Sequence, residues 1–489
     1  MRGRFAPYIV GIGLLNLAAV MLVFCVYAAL LDENGSVLGF ATTLGLCAAF
    51  GGVLVWLGTS DAEPTRRESL IGVLLLWLAV PVFGAVPFMI SGGFSPLDAV
   101  FESMSGFTTT GATVLRSFDD FPKSLFMWRA LTQWVGGVGI IVLFIAVFPQ
   151  LAIAGRQLFF AEAPGPTEER LTPRLRNTAS AVLIVYIGLS VLCALAYWLV
   201  GMTPYDAVAH SFTTLAAGGF SPNGLSFEGF DSAATDWVAI LFMTFAGANF
   251  ALQYQAVAGR PKDLFRDAEF RTYLVILVSV SALLTLILRE DYAFLEALRH
   301  AMFQTISIAT TTGYASVDFI EWSQQGQAVL LVLMFVGGSA GSAAGGVKVV
   351  RWLIITRNMA REVRHSLHPR AVLPVQVGGR PISEEVLRAV AAFLTLYLSL
   401  FAVVAVVVIL LGADIITGVT ASIACLGNVG PGLGEVGPML NFADLHPVSR
   451  ALLAFAMYAG RLEVVTVFII FNADFWRLPK RGAFQRRRL

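Results

Sequence analysis

The sequence predicts an all-α integral membrane protein of about ten transmembrane helices, two leading helices followed by four pseudo-symmetric repeats of helix, re-entrant loop and helix. Three observations carry this expectation. The 489 residues are 57% hydrophobic and only 13% charged, with mean hydropathy +0.76, whereas about 25% charged is ordinary for a soluble domain. Nine stretches lack Asp, Glu, Lys and Arg altogether: 5–31, 35–60, 69–97, 130–155, 177–205, 237–259, 272–288, 323–347 and 389–413. A tenth, 451–472, is equally apolar but carries Arg461 and Glu463. Nearly all are long enough to cross a hydrocarbon core as a helix, which takes roughly 20 residues. Finally, a short apolar segment ending in glycine recurs four times between these stretches.

The first run, behind Met1-Arg2-Gly3-Arg4, exceeds the about 7–15 apolar residues of a secretory signal and reads as a retained first span. Cys25, Cys47, Cys193 and Cys425 lie in apolar stretches without metal-ligand spacing and read as packing residues. With a cytoplasmic N-terminus and ten spans, 26 of the 33 Lys and Arg fall on the inside, in 2–4, 66–67, 156–176, 260–271, 348–388 and 477–488. That asymmetry follows the positive-inside rule and puts both termini in the cytoplasm. The basic clusters, Arg486-Arg487-Arg488 among them, read as topology signals near anionic membrane lipid rather than nucleic-acid sites. The expected organisation is 1–62 for the two N-terminal helices, then pore repeats at 63–160, 161–262, 263–365 and 366–489, the last including a basic tail.

The four outside loops after spans three, five, seven and nine share one register. Each holds an apolar segment too short to span, with a glycine ten residues from its start: Phe101 to Gly111, Ala209 to Gly219, Phe303 to Gly313 and Thr420 to Gly430. Thr108-Thr109-Thr110-Gly111 nearly recurs as Thr310-Thr311-Thr312-Gly313. Ala216-Ala217-Gly218-Gly219 and Gly427-Asn428-Val429-Gly430 diverge. Asp98, Asp206, Glu296 and Asp414 stand near the half-helix starts, where the helix dipole favours a carboxylate. Each unit returns the chain to the same side of the membrane, so all four copies share one orientation and can surround a single central pore along the membrane normal. Inverted repeats would build a midplane carrier site instead.

A bare alkali cation leaving water needs oxygen ligands, which rings of backbone carbonyls can supply. Glycine permits the backbone angles that turn successive carbonyls toward one axis, and threonine adds a hydroxyl at small volume. Half-helix C-termini aimed at a shared cavity favour cations over anions. Glu102, in the first half-helix, is a candidate for raising local cation concentration there. The eighth span needs a break: residues 323–357 as one helix would run about 52 Å, against a hydrocarbon core of roughly 30 Å. The glycine-rich stretch 337–346 is the expected place, since irregular backbone at membrane depth is tolerated where it lines a cavity. Arg461 lies deep in the last span and requires a partner or water; Glu463, two residues on, does not share its helix face. Lys348 reads as a snorkelling anchor.

On these residues, together with Gly337-Gly338-Ser339-Ala340-Gly341-Ser342-Ala343-Ala344-Gly345-Gly346-Val347-Lys348 and Gly460-Arg461-Leu462-Glu463, the sequence resembles the Trk/Ktr/HKT superfamily of potassium transporters. It is most similar to the superfamily's bacterial TrkH-type membrane subunits. The resemblance covers nearly the whole chain and implies gated, potassium-selective uptake across the bacterial inner membrane, with potassium as substrate and no organic cofactor. It implies a filter formed by Thr109, Thr110, Gly111, Gly218, Gly219, Thr311, Thr312, Gly313, Val429 and Gly430, with Gly218 and Gly219 both open as the key second-repeat residue. Glycine in all four copies goes with potassium; serine in the first copy goes with sodium in plant relatives. Gly337, Gly338, Gly341, Gly345, Gly346 and Arg461 would form the gate, an intramembrane loop under the filter. The implied partners are a second copy, in a homodimer, and a cytosolic TrkA-type ring of nucleotide-binding regulatory subunits, since no inside segment here reaches the about 50 residues of a domain.

The five histidines are scattered and neither a phosphate loop nor a dinucleotide fingerprint stands at a strand-to-helix turn, so an enzyme is not expected. The competing transport reading is a sodium- or proton-coupled potassium symporter, which would show fixed stoichiometry and low, saturating turnover. A scaffolding subunit would pass no ions at all.

Overall fold

The computed structural model describes residues 4–59, 65–119, 121–146 and 171–476. Helices α1 (Phe5–Leu30) and α2 (Asn34–Leu57) form a leading hairpin. The first repeat comprises α3 (Arg66–Gly84), α4 (Val86–Ile90), the half-helix α5 (Pro96–Phe107) and α6 (Lys123–Ala146). The second comprises α7 (Leu171–Leu199), half-helix α8 (Pro204–Leu215), α9 (Ala233–Ala246) and α10 (Phe250–Val257). A short α11 (Pro261–Arg266) leads into the third: α12 (Ala268–Leu288), half-helix α13 (Phe294–Ala309), α14 (Gln324–Leu333) and α15 (Val349–Leu367). A small hairpin of β1 (Gln376–Val377) and β2 (Arg380–Pro381) precedes the fourth: α16 (Glu384–Leu410), half-helix α17 (Ile415–Leu426), α18 (Pro447–Arg461), α19 (Val464–Phe468) and a terminal α20 (Ala473–Trp476). The repeat boundary expected at 160 and the basic tail at 477–488 lie outside the described residues.

Among the described residues six helices are long and apolar enough to cross a bilayer singly, and two bent pairs bring the number to eight. The helix α6 and the interrupted pair α14 and α15 complete the ten crossings. The half-helices have 12, 12, 16 and 12 residues, and at 1.5 Å per residue none spans a core of roughly 30 Å. Their starts follow local sequence. Ser95-Pro96 and Thr203-Pro204 put a hydroxyl at the N-cap and proline at the first helical position, and the side-chain oxygens accept from the backbone N–H of Asp98 and Asp206. Asp414 is itself a cap, accepting from Ile416 and Thr417 N–H at 2.8 and 3.1 Å.

α3 ends at Gly84, and two carbonyls of its last turn, which lack intrahelical partners, are taken by neighbours. Ser103 of α5 donates to Pro81 O (2.7 Å) and Trp128 of α6 donates through Nε1 to Gly84 O (3.2 Å). The Trp128 indole also meets Phe24 and Phe107 edge-on, with centroids 5.5 and 5.9 Å apart, joining the leading hairpin to the first repeat.

The stretches 237–259 and 451–472, expected as straight spans, bend by 102° and 110°. At the first bend Gly247 ends α9 and the Asn249 side chain caps α10, accepting from Ala251 and Leu252 N–H at 2.8 and 3.2 Å. At the second, Glu463 adopts φ +66° between α18 and α19. In the eighth span the helix stops at Leu333 and resumes at Val349, leaving 334–348 as irregular backbone.

Candidate functional site: a glycine ring above an intramembrane loop

The four half-helices end in the same backbone figure. Residues at equivalent positions, Thr109, Ala217, Thr311 and Asn428, have φ of 52, 53, 57 and 55°. Two residues on, Gly111, Gly219, Gly313 and Gly430 have φ of 84, 77, 78 and 103°. The intervening N–H bonds back into its own half-helix in each copy: Thr110 to Ser105 O (2.8 Å), Gly218 to Thr213 O (2.9 Å), Thr312 to Ser307 O (2.8 Å) and Val429 to Ala424 O (2.8 Å). Four segments, two of them sharing Thr-Thr-Thr-Gly and two divergent, thus share one conformation. Non-glycine residues rarely take positive φ, and the surrounding hydrogen bonds hold them there.

The four turns also close on one another. A side chain at Gly111 would collide with the carbonyl oxygen of Gly218, at Gly219 with that of Thr312, at Gly313 with that of Val429, and at Gly430 with that of Thr110. Contacts therefore run from repeat one to two, two to three, three to four and four back to one. In the second copy Gly219 has the backbone of the other three glycines, and Gly218 occupies the position of Thr110, Thr312 and Val429. Gly111, Gly219, Gly313 and Pro431 face a common vestibule of about 500 Å³. Cross-links between repeats brace the ring: Asn428 Nδ2 donates to Thr110 Oγ1 (2.9 Å), and the Tyr314 hydroxyl bonds Thr213 Oγ1, Thr214 Oγ1 (3.1 Å) and His210 O (3.1 Å).

Beneath the ring lies the irregular backbone 334–348. Gly345 N–H donates to Thr311 Oγ1 at 2.6 Å, and a Cβ on Gly345 would lie 2.5 Å from Gly427 O, so the loop touches the third and fourth copies directly. Membrane-depth backbone must find internal partners, and the breaks elsewhere provide them. Ser339 N–H donates to Gly247 O (2.9 Å), Ala343 N–H to Ala246 O (3.2 Å) and Phe250 N–H to Gly341 O (3.2 Å), all at the α9/α10 bend. Glu269 accepts from Ala340 and Val350 N–H (2.7 and 3.1 Å), tying the middle of the loop and the start of α15 to α12. Arg461 donates to Ala343 O (2.8 Å) and Gly136 O (3.4 Å).

Several residues sit differently from the sequence expectation. Lys348 is buried and its Nζ donates to Ala344 O, so it folds onto the loop rather than snorkelling. Glu463 pairs with Arg351, whose guanidinium lies 3.8 Å from the Phe393 ring centroid. Glu102 is no exposed cation attractor: it is buried and paired with Arg129 at 2.6 Å, with Val114 N–H and Thr113 Oγ1 donating to it at 2.9 Å. Arg129 and its neighbour one turn on, Gln133, are not among the residues expected from the sequence, yet both bond the second turn. Two polar side chains four apart at the start of an apolar run were the available signal.

Fold and site together define a multi-pass membrane protein in which one chain wraps four re-entrant half-helices into a closed ring. Comparison with known proteins narrows the class. The family model for TrkH, described as cation transport protein, matches residues 38–478. The chain is 39% identical over 488 residues to a Trk system potassium uptake protein TrkH of Vibrio parahaemolyticus, covering 98% of this chain and 100% of the relative. It is 36% identical over 485 residues to its namesake from Escherichia coli, covering 98% and 100%. The crystal structure of the potassium transporter TrkH from Vibrio parahaemolyticus superposes with TM-score 0.90 at 37% identity, covering 98% of this chain and 100% of that one. The chain belongs to the TrkH family of cation transport proteins.

Proposed function

We propose that the chain takes up potassium, as the names of its relatives say of them, and that it does so through a gated, potassium-selective pore. The reading rests on one observation above the rest, the cyclic closure of the four turns through Gly111, Gly219, Gly313 and Gly430. Carbonyls of these glycines and of Thr110, Gly218, Thr312 and Val429, with the side chains of Thr109 and Thr311 beneath, are the oxygen donors that would replace an ion's water. A cation rather than an anion fits because four half-helix C-termini converge below the ring. The loop carrying Gly337, Gly338, Gly341, Gly345 and Gly346 is the gate, latched by Arg461, and leaves the pore axis on opening.

The pore faces outward with its ring side, both termini are cytoplasmic, the chain pairs with a second copy, and a cytosolic TrkA-type nucleotide-binding subunit controls the loop. Support for the orientation is the excess of Lys and Arg in the segments that the sequence assigns to the inside. The test is current through the purified protein in planar bilayers under potassium and sodium gradients. Unitary, potassium-preferring currents are expected, and Gly111→Ser should admit sodium. Fixed-stoichiometry flux coupled to sodium or protons would replace the channel with a symporter, and an unchanged preference in Gly111→Ser would remove the filter assignment.

A further inference from the structure

The second filter copy lacks what holds the first and third. In those, the hydroxyls at the first and third threonine bond each other: Thr108 to Thr110 and Thr310 to Thr312, both at 2.8 Å. Their counterparts in the second copy, Ala216 and Gly218, have no hydroxyl, yet the strand takes the same backbone angles. Its polar support comes from a different repeat. Gln133 of α6 donates through Nε2 to Gly218 O (2.7 Å) and accepts through Oε1 from Phe220 N–H (3.0 Å), so its amide orientation follows from its partners. Arg129, one turn earlier, donates to Ser221 O (3.0 Å), and its guanidinium lies 3.5 Å from the Phe220 ring centroid. Glu102 of half-helix α5 holds Arg129 in turn. All three side chains are buried. A Cβ at Gly218 would occupy the space of the Gln133 amide, so a threonine at 218 would push that amide out of its present place.

We infer that Gln133, backed by Arg129, is a selectivity-determining positioning residue that substitutes for the missing threonine hydroxyls and sets the second filter strand. This rests on the filter reading above and goes beyond it. Because the Gln133 amide engages the Gly218 carbonyl, the oxygen ring is chemically asymmetric: the Val429, Thr110 and Thr312 carbonyls receive no such side-chain donor among the described residues. Freeing the Gly218 carbonyl would let this strand rotate out of register with its neighbours, and discrimination between potassium and sodium would fall before folding does.

The experiment is the bi-ionic reversal potential of purified protein in planar bilayers, with melting temperature measured in parallel. Gln133→Leu removes both hydrogen bonds at similar volume. The potassium-to-sodium permeability ratio should fall about tenfold, the scale of one lost buried hydrogen bond. Gln133→Glu, which keeps an acceptor for Phe220 N–H but faces the Gly218 carbonyl with another acceptor, should do the same and serves if the leucine variant does not fold. The triple variant Gln133→Ala, Ala216→Thr, Gly218→Thr transplants the hydroxyl pair and should recover most of the ratio, whereas Gly218→Thr alone should not. Wild-type selectivity in the Gln133 variants, or loss without recovery in the triple variant, overturns the inference. Gly111→Ser separates the two readings: if it collapses selectivity while Gln133 variants do not, the filter stands and the clamp falls. If neither alters selectivity, the filter reading itself has failed.

Discussion

Replacing Arg461 with alanine should open the pore in the absence of any regulatory partner. Its guanidinium is buried and donates to Ala343 O at 2.8 Å, within the intramembrane loop, and to Gly136 O at 3.4 Å, on α6. The longer bond is weak by geometry, so the shorter, charge-assisted one carries the latch at about 1.5–3 kcal/mol. If the loop must leave the pore axis for ions to pass, that energy is present only in the closed state and its loss shifts the opening equilibrium by about 10- to 150-fold. If the axis under the ring is the cation pathway, removal of a buried positive charge beside it acts in the same direction. The assay is the initial rate of potassium entry into liposomes containing the purified variant, against wild type and against Arg461→Lys. The lysine variant keeps the charge but loses the guanidinium fork, so its rate should fall between the two. An alanine variant with wild-type flux, wild-type selectivity and an intact melting transition would refute the latch, because nothing else in the contact set of Arg461 opposes loop departure.

Three further outcomes follow from the same contacts. Deleting 337–346 should raise basal flux, and a folded but closed deletion would remove the gate assignment. Glu102→Gln leaves Arg129 buried without its counter-charge and should cost about 3–5 kcal/mol, read as a lowered melting temperature; pairing it with Arg129→Gln should restore most of the loss if the two act as one unit. Asp414 is held below the usual carboxylate range, first by its side-chain hydrogen bond with Thr417 and then by the backbone N–H groups it caps. Its folded pKa is depressed, so its stabilisation is full above the ordinary carboxylate pKa and is lost as pH falls through the folded value. Asp414→Ala should therefore cost about 1 kcal/mol at neutral pH, and the gap in melting temperature from wild type should close in acid.

The sequence made the scaffold legible because the bilayer leaves few choices. Long apolar runs must be helices, and half-length ones ending in glycine must return to their own side. The shared register of Gly111, Gly219, Gly313 and Gly430 could be read directly, as could the need for a break between Ser323 and Arg357. What could not be read were contacts made across the ring. Gln133 and Gly218 are 85 residues apart and Arg129 and Ser221 are 92 apart, so no local pattern announces them. Glu102 was legible as a carboxylate in a half-helix but not as a neutralised one, since its partner belongs to the next span. The bend after Ala246 had a local signal, Gly247-Ala248-Asn249, yet an apolar run of membrane length outweighs one glycine and one capping residue when only hydropathy is weighed.

Building the ring from one chain rather than four has a physical consequence in this structure. In four identical subunits every interruption below the filter would recur fourfold, and four loops would compete for one axis. Here, among the described residues, the irregular loop beneath the ring comes from the third repeat. Besides Thr311 and Glu269 of that repeat, the groups that satisfy its backbone come from two others: the carbonyls of Ala246 and Gly247 in the second and the Arg461 guanidinium in the fourth. The bend in the second repeat and the charge in the fourth are each unfavourable alone, one for its broken hydrogen-bond ladder and the other for its desolvation. Together with the loop they satisfy one another. Divergence of the four copies is thus what allows a ring of near-fourfold backbone symmetry to sit over an irregular loop with no symmetry at all; if the ring is the filter and the loop the gate, variants of the loop should change how often the pore opens without changing which ion it prefers.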